Sequence, residues 1–236
     1  MANNSSNVFN IINKTKQFVY HSVFFEKKSE FVSMQKTNKM SSAVKVLLSL
    51  MFLYIVVYAF LTPCFDSGDD FVMQSIASGT YTGTPDEHLV FINVILGFFL
   101  KFLYTNTQFI NWYIVVLVGL QFISLYVIFL YLKLKNVNFF IVVTSLFIAI
   151  YFIQNIQFTT ISGLLCLAGM LVLNASLNHC NIKFLIVSFF FLFLSSLLRL
   201  EMALLVGLFC VIFMLIEHKE KIVTMIRTKK MIVFVV

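Results

Sequence analysis

Residues 89–104 read LVFINVILGFFLKFLY. Whether this stretch crosses a bilayer or lies on its surface decides the fold of the whole chain. A spanning helix needs about 20 apolar residues. This run has 16 and carries Asn93 and Lys101, which suits a helix lying in the membrane interface. Its neighbours settle the choice. Upstream lies an apolar run at 44–62, closed by Pro63. Downstream lie runs at 111–132, 138–153, 159–177, 184–198 and 202–216, and Met231 opens one more.

Lys and Arg collect on the cytoplasmic side of spans. If 89–104 stays on the outer surface, the lysines of the N-terminal tail share the cytoplasmic side with eight later charges. These are Lys133, Lys135, Lys183, Lys219, Lys221, Arg227, Lys229 and Lys230. Of the 17 basic residues, Lys101 and Arg199 are then the two left outside. If 89–104 crosses, the eight flip outward. The expected fold is therefore all-α, a polytopic transmembrane helix bundle of about six spans plus a truncated seventh. Juxtamembrane helices occupy its first outer loop, at 63–110. The expected setting is the cell membrane, multi-pass, with the N-terminus cytoplasmic. Residues 184–216 are too long for one span at about 1.5 Å per residue, so a tight outer turn is expected at Arg199.

Composition agrees. Of 236 residues, 60% are hydrophobic and 11% charged, with 29 Phe and 2 Pro. A soluble domain carries about 25% charged residues, so the apolar surplus must face lipid. The net charge of +7 does not point to nucleic acid, because the basic residues flank apolar runs. Cys64, Cys166, Cys180 and Cys210 are scattered, with no CxxC and no disulfide framework. No cleavable signal peptide is evident, and the run at 44–62 reads as a signal-anchor. Residues 1–43 read as a polar cytoplasmic tail, either disordered or holding a short amphipathic helix at 19–25. Residues 44–236 make up the bundle. The run from Met231 stops far short of a span, so the chain is expected to be truncated at its C-terminus.

This topology gathers the unusual residues on the outer face. The loop at 64–88 holds Asp66, Asp69, Asp70, Asp86 and Glu87 with no Lys or Arg, and ends on His88. Gly68, Gly79, Gly83 and Pro85 break it into turns around a short helix expected at 70–77. The turns QNIQFTT (154–160) and RLE (199–201) join it. Asp69 and Asp70 are adjacent, so on a helix they point about 100° apart and cannot readily share a proton. One would face a reaction centre while the other caps the helix, where the dipole favours an acid. Solvation and capping by both is the bland alternative. Arg199 is costly near lipid. Glu201, two residues on, is not an i,i+4 partner, so Arg199 is expected to take a loop carboxylate or a lipid phosphate. Snorkelling is its bland alternative. Candidate substrate-binding residues are Asp86, His88, Arg199, Glu201, Thr159 and Thr160. A divalent metal, Mg or Mn, would fall to Asp69 with Asp86, although hard cations want several oxygens in a defined cage. Trp112 and Tyr113 read as interfacial anchors. No Walker loop, GxSxG, HExxH or dinucleotide fingerprint is present. No acid sits mid-span, which argues against an ion-coupled transporter.

The order of these features resembles the multi-span glycosyltransferases of the GT-C class, which use lipid-phosphate-linked sugars. A first span leads to the acidic pair Asp69–Asp70, and a short helix closes on Ser78, Gly79, Thr80 and Tyr81. A polar stretch from Gly83 to His88 follows, then an apolar surface helix, then Asn111, Trp112 and Tyr113, and later Arg199. The likeness covers about residues 44–236, the N-terminal half of such an enzyme. The C-terminal half, any soluble domain and the usual basic, Pro-rich stretch after the loop have no counterpart. The resemblance implies two juxtamembrane helices in the first loop. It also implies an acidic residue there, Asp69 or Asp70, as catalytic base or metal ligand. The implied activity is transfer of a sugar from a polyprenyl-phosphate donor to a glycan or lipid acceptor of the cell envelope. The alternative is a non-catalytic membrane protein, such as a lipid-linked saccharide flippase or an envelope scaffold. A flippase should show a polar, often basic, lumen, and these runs show almost none.

Overall fold

A computed structural model describes residues 41–177 and 182–217 in full, and 178–179 as backbone. The tail helix at 19–25, Cys180, the basic residues 219–230 and the run from Met231 lie outside the described residues. The chain divides into two compact units between Leu47 and Leu48. The described part of the first is the opening turns of helix α1 (Ser41–Phe60). The second holds everything that follows.

Seven further helices are described: α2 (Gly68–Ser78), α3 (Val94–Asn106), α4 (Trp112–Leu134), α5 (Phe139–Gln154), α6 (Phe158–His179), α7 (Ile182–Leu198) and α8 (Leu200–Glu217). Four are long and apolar enough to cross a membrane: α1, α4, α6 and α8. At 16 and 17 residues, α5 and α7 reach about 24–26 Å, a little under a hydrocarbon core of about 30 Å. Their side chains are mostly apolar, with Thr144, Ser145 and Gln154 on α5 and Lys183 and three serines on α7 as the exceptions, and Phe139, Phe140, Phe147, Phe189 and Phe190 are exposed. That is the composition of a lipid-facing surface.

Helix–helix contacts fix directions. Ser162 and Ser195 exchange hydroxyl-to-carbonyl bonds of 2.9 and 2.8 Å, and Ser188 Oγ donates to Gly169 O at 2.8 Å. Later residues of α6 thus meet earlier residues of α7, and the two run antiparallel. Gly163 lies against Met202 and Val206, Cys166 Sγ reaches Ala203 O, and Asn174 Nδ2 donates to Glu217 Oε2. So α8 runs parallel to α6. The chain therefore reverses between α7 and α8 on one non-helical residue, Arg199, as its sequence position predicted. Small residues at these contacts let the helices approach closely, which is how apolar helices associate in lipid.

α3 does not run along the bundle. At its start Asn93 N donates to Leu197 O, the C-terminal end of α7. Near its other end Tyr104 Oη donates to Asn111 Oδ1 and accepts from Tyr113 N, at the start of α4. Both ends of α3 thus sit at one end of the bundle, and the helix lies across it. Leu96, Leu100 and Tyr104 are buried, whereas Ile95, Phe98, Phe99 and Phe102 are exposed. The helix is shorter than the apolar run that suggested it. Asn93 caps it by accepting from Ile95 N at 3.0 Å, so residues 89–93 lie outside the helix and approach it through bends.

A two-residue parallel bridge completes this end. Cys64 pairs with Asn155 and Phe65 with Ile156, so the loop after α1 is joined to the turn between α5 and α6.

Candidate functional site

The acidic loop begins at this bridge. Ser67 occupies the N-cap of α2, which starts at Gly68, one residue before the acidic pair. The helix ends at Gly79 with φ +81°, where a Cβ would come within 2.5 Å of Thr84 C. Only glycine fits that turn.

The structure separates Asp69 from Asp70. Asp69 is exposed. Asp70 has no exposed surface and is held from three directions. Its Oδ1 accepts from Tyr113 Oη at 2.8 Å and from Phe158 N at 3.2 Å, and its Oδ2 accepts from Ser67 Oγ at 3.2 Å. Asp70 is therefore not the helix cap and has no open face for a substrate. It is a latch joining α2 to the N-terminal ends of α4 and α6. Burial pushes its carboxyl above the ordinary value of 3.8, against the pull of the Tyr113, Phe158 and Ser67 hydrogen bonds. Desolvation disfavours the charged form, and the donors favour it.

Tyr113 is thus not an interfacial anchor, being 1% exposed with its hydroxyl on Asp70. Trp112 is half-buried and donates from Nε1 to Thr107 O at 2.9 Å. The signal for Tyr113 was present, since a tyrosine buried in apolar surroundings must find a hydrogen-bond partner. Its burial was not visible in the sequence.

Arg199 lies beside the latch. Its Nη1 donates to Thr159 Oγ1 at 2.8 Å, and Thr159 follows directly on Phe158, whose N–H holds Asp70. The guanidinium carbon stands 5.4 Å from the Phe158 ring centroid and 5.6 Å from that of Phe91. Those two rings stack on one another 5.9 Å apart. Arg199 Nε also donates to Glu201 Oε2 at 3.1 Å, which overturns the expectation that Glu201 could not be its partner. The i,i+4 rule applies within a helix. Arg199 stands outside both helices, so i,i+2 geometry is open to it. Thr160 turns away and donates to Gln157 O.

Asp86, Glu87 and His88 cluster along α3. Asp86 Oδ1 accepts from His88 N and meets His88 Nδ1, each at 3.0 Å. Lys101 Nζ donates to Glu87 Oε2. The hydrogen bond from the His88 N–H holds the Asp86 carboxyl below its ordinary value, and the Lys101 hydrogen bond does the same for Glu87. Gly97 makes the approach possible, because a Cβ there would fall 1.9 Å from Glu87 O. Among the described residues this is the group whose ligand atoms lie close enough to hold a metal ion, within 4.8 Å of one another. Asp69, paired with Asp86 in the sequence reading, is not in it. The oxygens present are engaged by His88 and Lys101, which is a poor cage for a hard cation.

Compared with protein-family models, curated proteins and solved structures, the chain matches none, so the reading of this site rests on its residues and geometry.

Proposed function

We propose that the chain is a membrane glycosyltransferase that moves a sugar from a polyprenyl-phosphate donor to a glycan or lipid acceptor on the outer membrane face. In this reading α1 and α4 to α8 make six spans of a multi-pass cell-membrane protein, with the N-terminus cytoplasmic and α2 and α3 at the outer surface. The observation that carries it is a short chain of contacts. Asp69 is exposed next to buried Asp70, Asp70 is bonded to Phe158 N, and the next residue, Thr159, is bonded to Arg199. A carboxylate and a guanidinium are thereby held at one end of an apolar bundle.

Asp69 would take the proton from the acceptor hydroxyl, which requires hydrogen-bond reach. The acceptor oxygen would attack the anomeric carbon opposite the phosphate through an oxocarbenium-like centre. The bond from that carbon to the phosphate oxygen breaks, its electron pair leaves with the phosphate, and Arg199 stabilises the departing anion. The buried polar side chains Gln121, Ser162, Ser188 and Ser195 are all taken up in contacts between helices, which gives no support to a flippase lumen.

Membranes holding the full chain, supplied with labelled polyprenyl-phosphate sugars, test this. Asp69→Asn should abolish transfer while Asp70→Asn retains a large part of it. Undiminished transfer by Asp69→Asn would sink the role.

A further inference from the structure

Phe91 is an exposed phenylalanine between buried neighbours. Leu89 and Ile92 belong to the core, and Asn93 N donates to Leu197 O at 2.8 Å. The segment is thereby pinned to the end of α7, two residues before Arg199. Its bends leave the Phe91 ring on the surface, so burial does not account for where that ring stands. Its place follows from its contacts. The ring stacks on Phe158, 11° from parallel, and lies 5.6 Å from the guanidinium carbon of Arg199.

The Phe91 and Phe158 centroids and Arg199 Cζ stand 5.9, 5.6 and 5.4 Å apart, close to an equilateral triangle. The guanidinium therefore rests against both rings rather than over one. Each ring lies within the distance, about 6 Å, at which an aromatic face attracts a cation. A guanidinium is planar, and its donors are fixed in that plane. The two rings hold the plane, while Thr159 and Glu201 take Nη1 and Nε. Nη2 has no hydrogen-bond partner among the described residues, and the side chain is 33% exposed. These contacts together fix the direction of one free donor edge.

The two rings differ in what else they do. Phe158 is buried in the core, and its N–H holds Asp70. Phe91 is exposed and has no part in that latch. We propose that Phe91 is a positioning residue for the transfer, which with Phe158 keeps the Nη2 edge of Arg199 turned toward the departing phosphate. The role rests on the transferase reading, in which Arg199 stabilises that anion. The charge on the anion grows as the bond to the sugar breaks, so loss of Phe91 should fall on turnover rather than on donor binding.

Transfer is measured in membranes holding the full chain, over a range of labelled polyprenyl-phosphate sugar concentrations. Phe91→Leu should lower kcat about tenfold and leave KM for the donor within about twofold, and Phe91→Tyr, which keeps the ring, should restore kcat. In the Arg199→Lys background Phe91→Leu should change kcat by less than about twofold, because the planar fork it orients is gone. The chain has two arginines, Arg199 and Arg227, so isotope-labelled arginine gives an NMR Nε–H signal for each, and Arg199→Lys identifies the one from Arg199. Phe91→Leu should shift that signal, since it removes one of the two rings beside it. A full tenfold loss from Phe91→Leu in the Arg199→Lys background, or an unmoved Arg199 signal, overturns the proposal. If Phe91→Leu does not fold, Phe91→Met replaces it in every arm. A natural chain that moves no sugar sinks the transferase reading and this role with it. Undiminished transfer by Phe91→Leu beside an active natural chain sinks this role alone.

Discussion

Tyr113 Oη donates to Asp70 Oδ1 at 2.8 Å, across 43 residues of sequence. Neither group has more than 1% of its surface exposed. Removing the donor leaves a buried carboxyl with one bond fewer and no water to replace it. Tyr113→Phe should lower stability by about 1–3 kcal/mol, read as thermal unfolding in detergent. An unchanged Tm would show that the latch carries little of the loop's stability.

The same carboxyl gives a pH dependence. Its folded-state pKa is raised above 3.8, chiefly by burial. The folded state therefore prefers the protonated form more than the unfolded chain does. That preference contributes stability fully below pH 3.8, and the contribution is lost as pH rises through the folded value. Asp70→Asn removes the titration while keeping an oxygen acceptor for Tyr113 and Phe158. The stability of the natural chain relative to Asp70→Asn should fall as pH rises upward from about 4. A difference that grows in the opposite direction would contradict the burial argument.

Two glycines make a controlled pair. A methyl at Gly97 would collide with the Glu87 carbonyl oxygen at 1.9 Å, whereas one at Gly119 meets open space. Gly97→Ala should destabilise by about 1–3 kcal/mol through overpacking. Gly119→Ala should be neutral or stabilise by up to about 1 kcal/mol through helix propensity. Unfolding of the two variants side by side checks the contrast.

Arg199 offers a third comparison. Lysine keeps the charge but loses the planar fork that serves Thr159 and Glu201 and lies over the Phe91 and Phe158 rings. On the transferase reading, Arg199→Lys should lower turnover by about 10²-fold, the scale of losing one donor to developing charge. Glu201→Gln should change it little, because Glu201 is 82% exposed. Equal losses in both would assign Arg199 a structural role.

The helices were legible in the sequence because length, apolarity and the sidedness of Lys and Arg are local properties. The reversal at Arg199 followed from the same reasoning, and the short helix expected at 70–77 followed from the glycine and proline breaks around it, the observed α2 running from Gly68 to Ser78. The pairing of Asp70 with Tyr113 and Phe158 was not legible. Adjacent acids look alike in sequence, and what separates Asp69 from Asp70 is the angle each takes on α2 toward residues 43 and 88 positions away. The cap at Asn93 was hidden by the apolar residues on both sides, since Leu89 to Tyr104 is one continuous run by composition. The Arg199–Glu201 pair was excluded by a rule for helices that a non-helical residue does not obey.

The parallel bridge has a consequence for synthesis. Cys64 and Phe65 find their partners at Asn155 and Ile156, and Asp70 waits for Phe158. At about 5–20 residues per second, the acidic loop leaves the ribosome several seconds before the segment that completes it. Its final shape is therefore set by residues about 90 positions later, and a ribosome stalled before Asn155 would leave Asp70 without the Phe158 part of its latch.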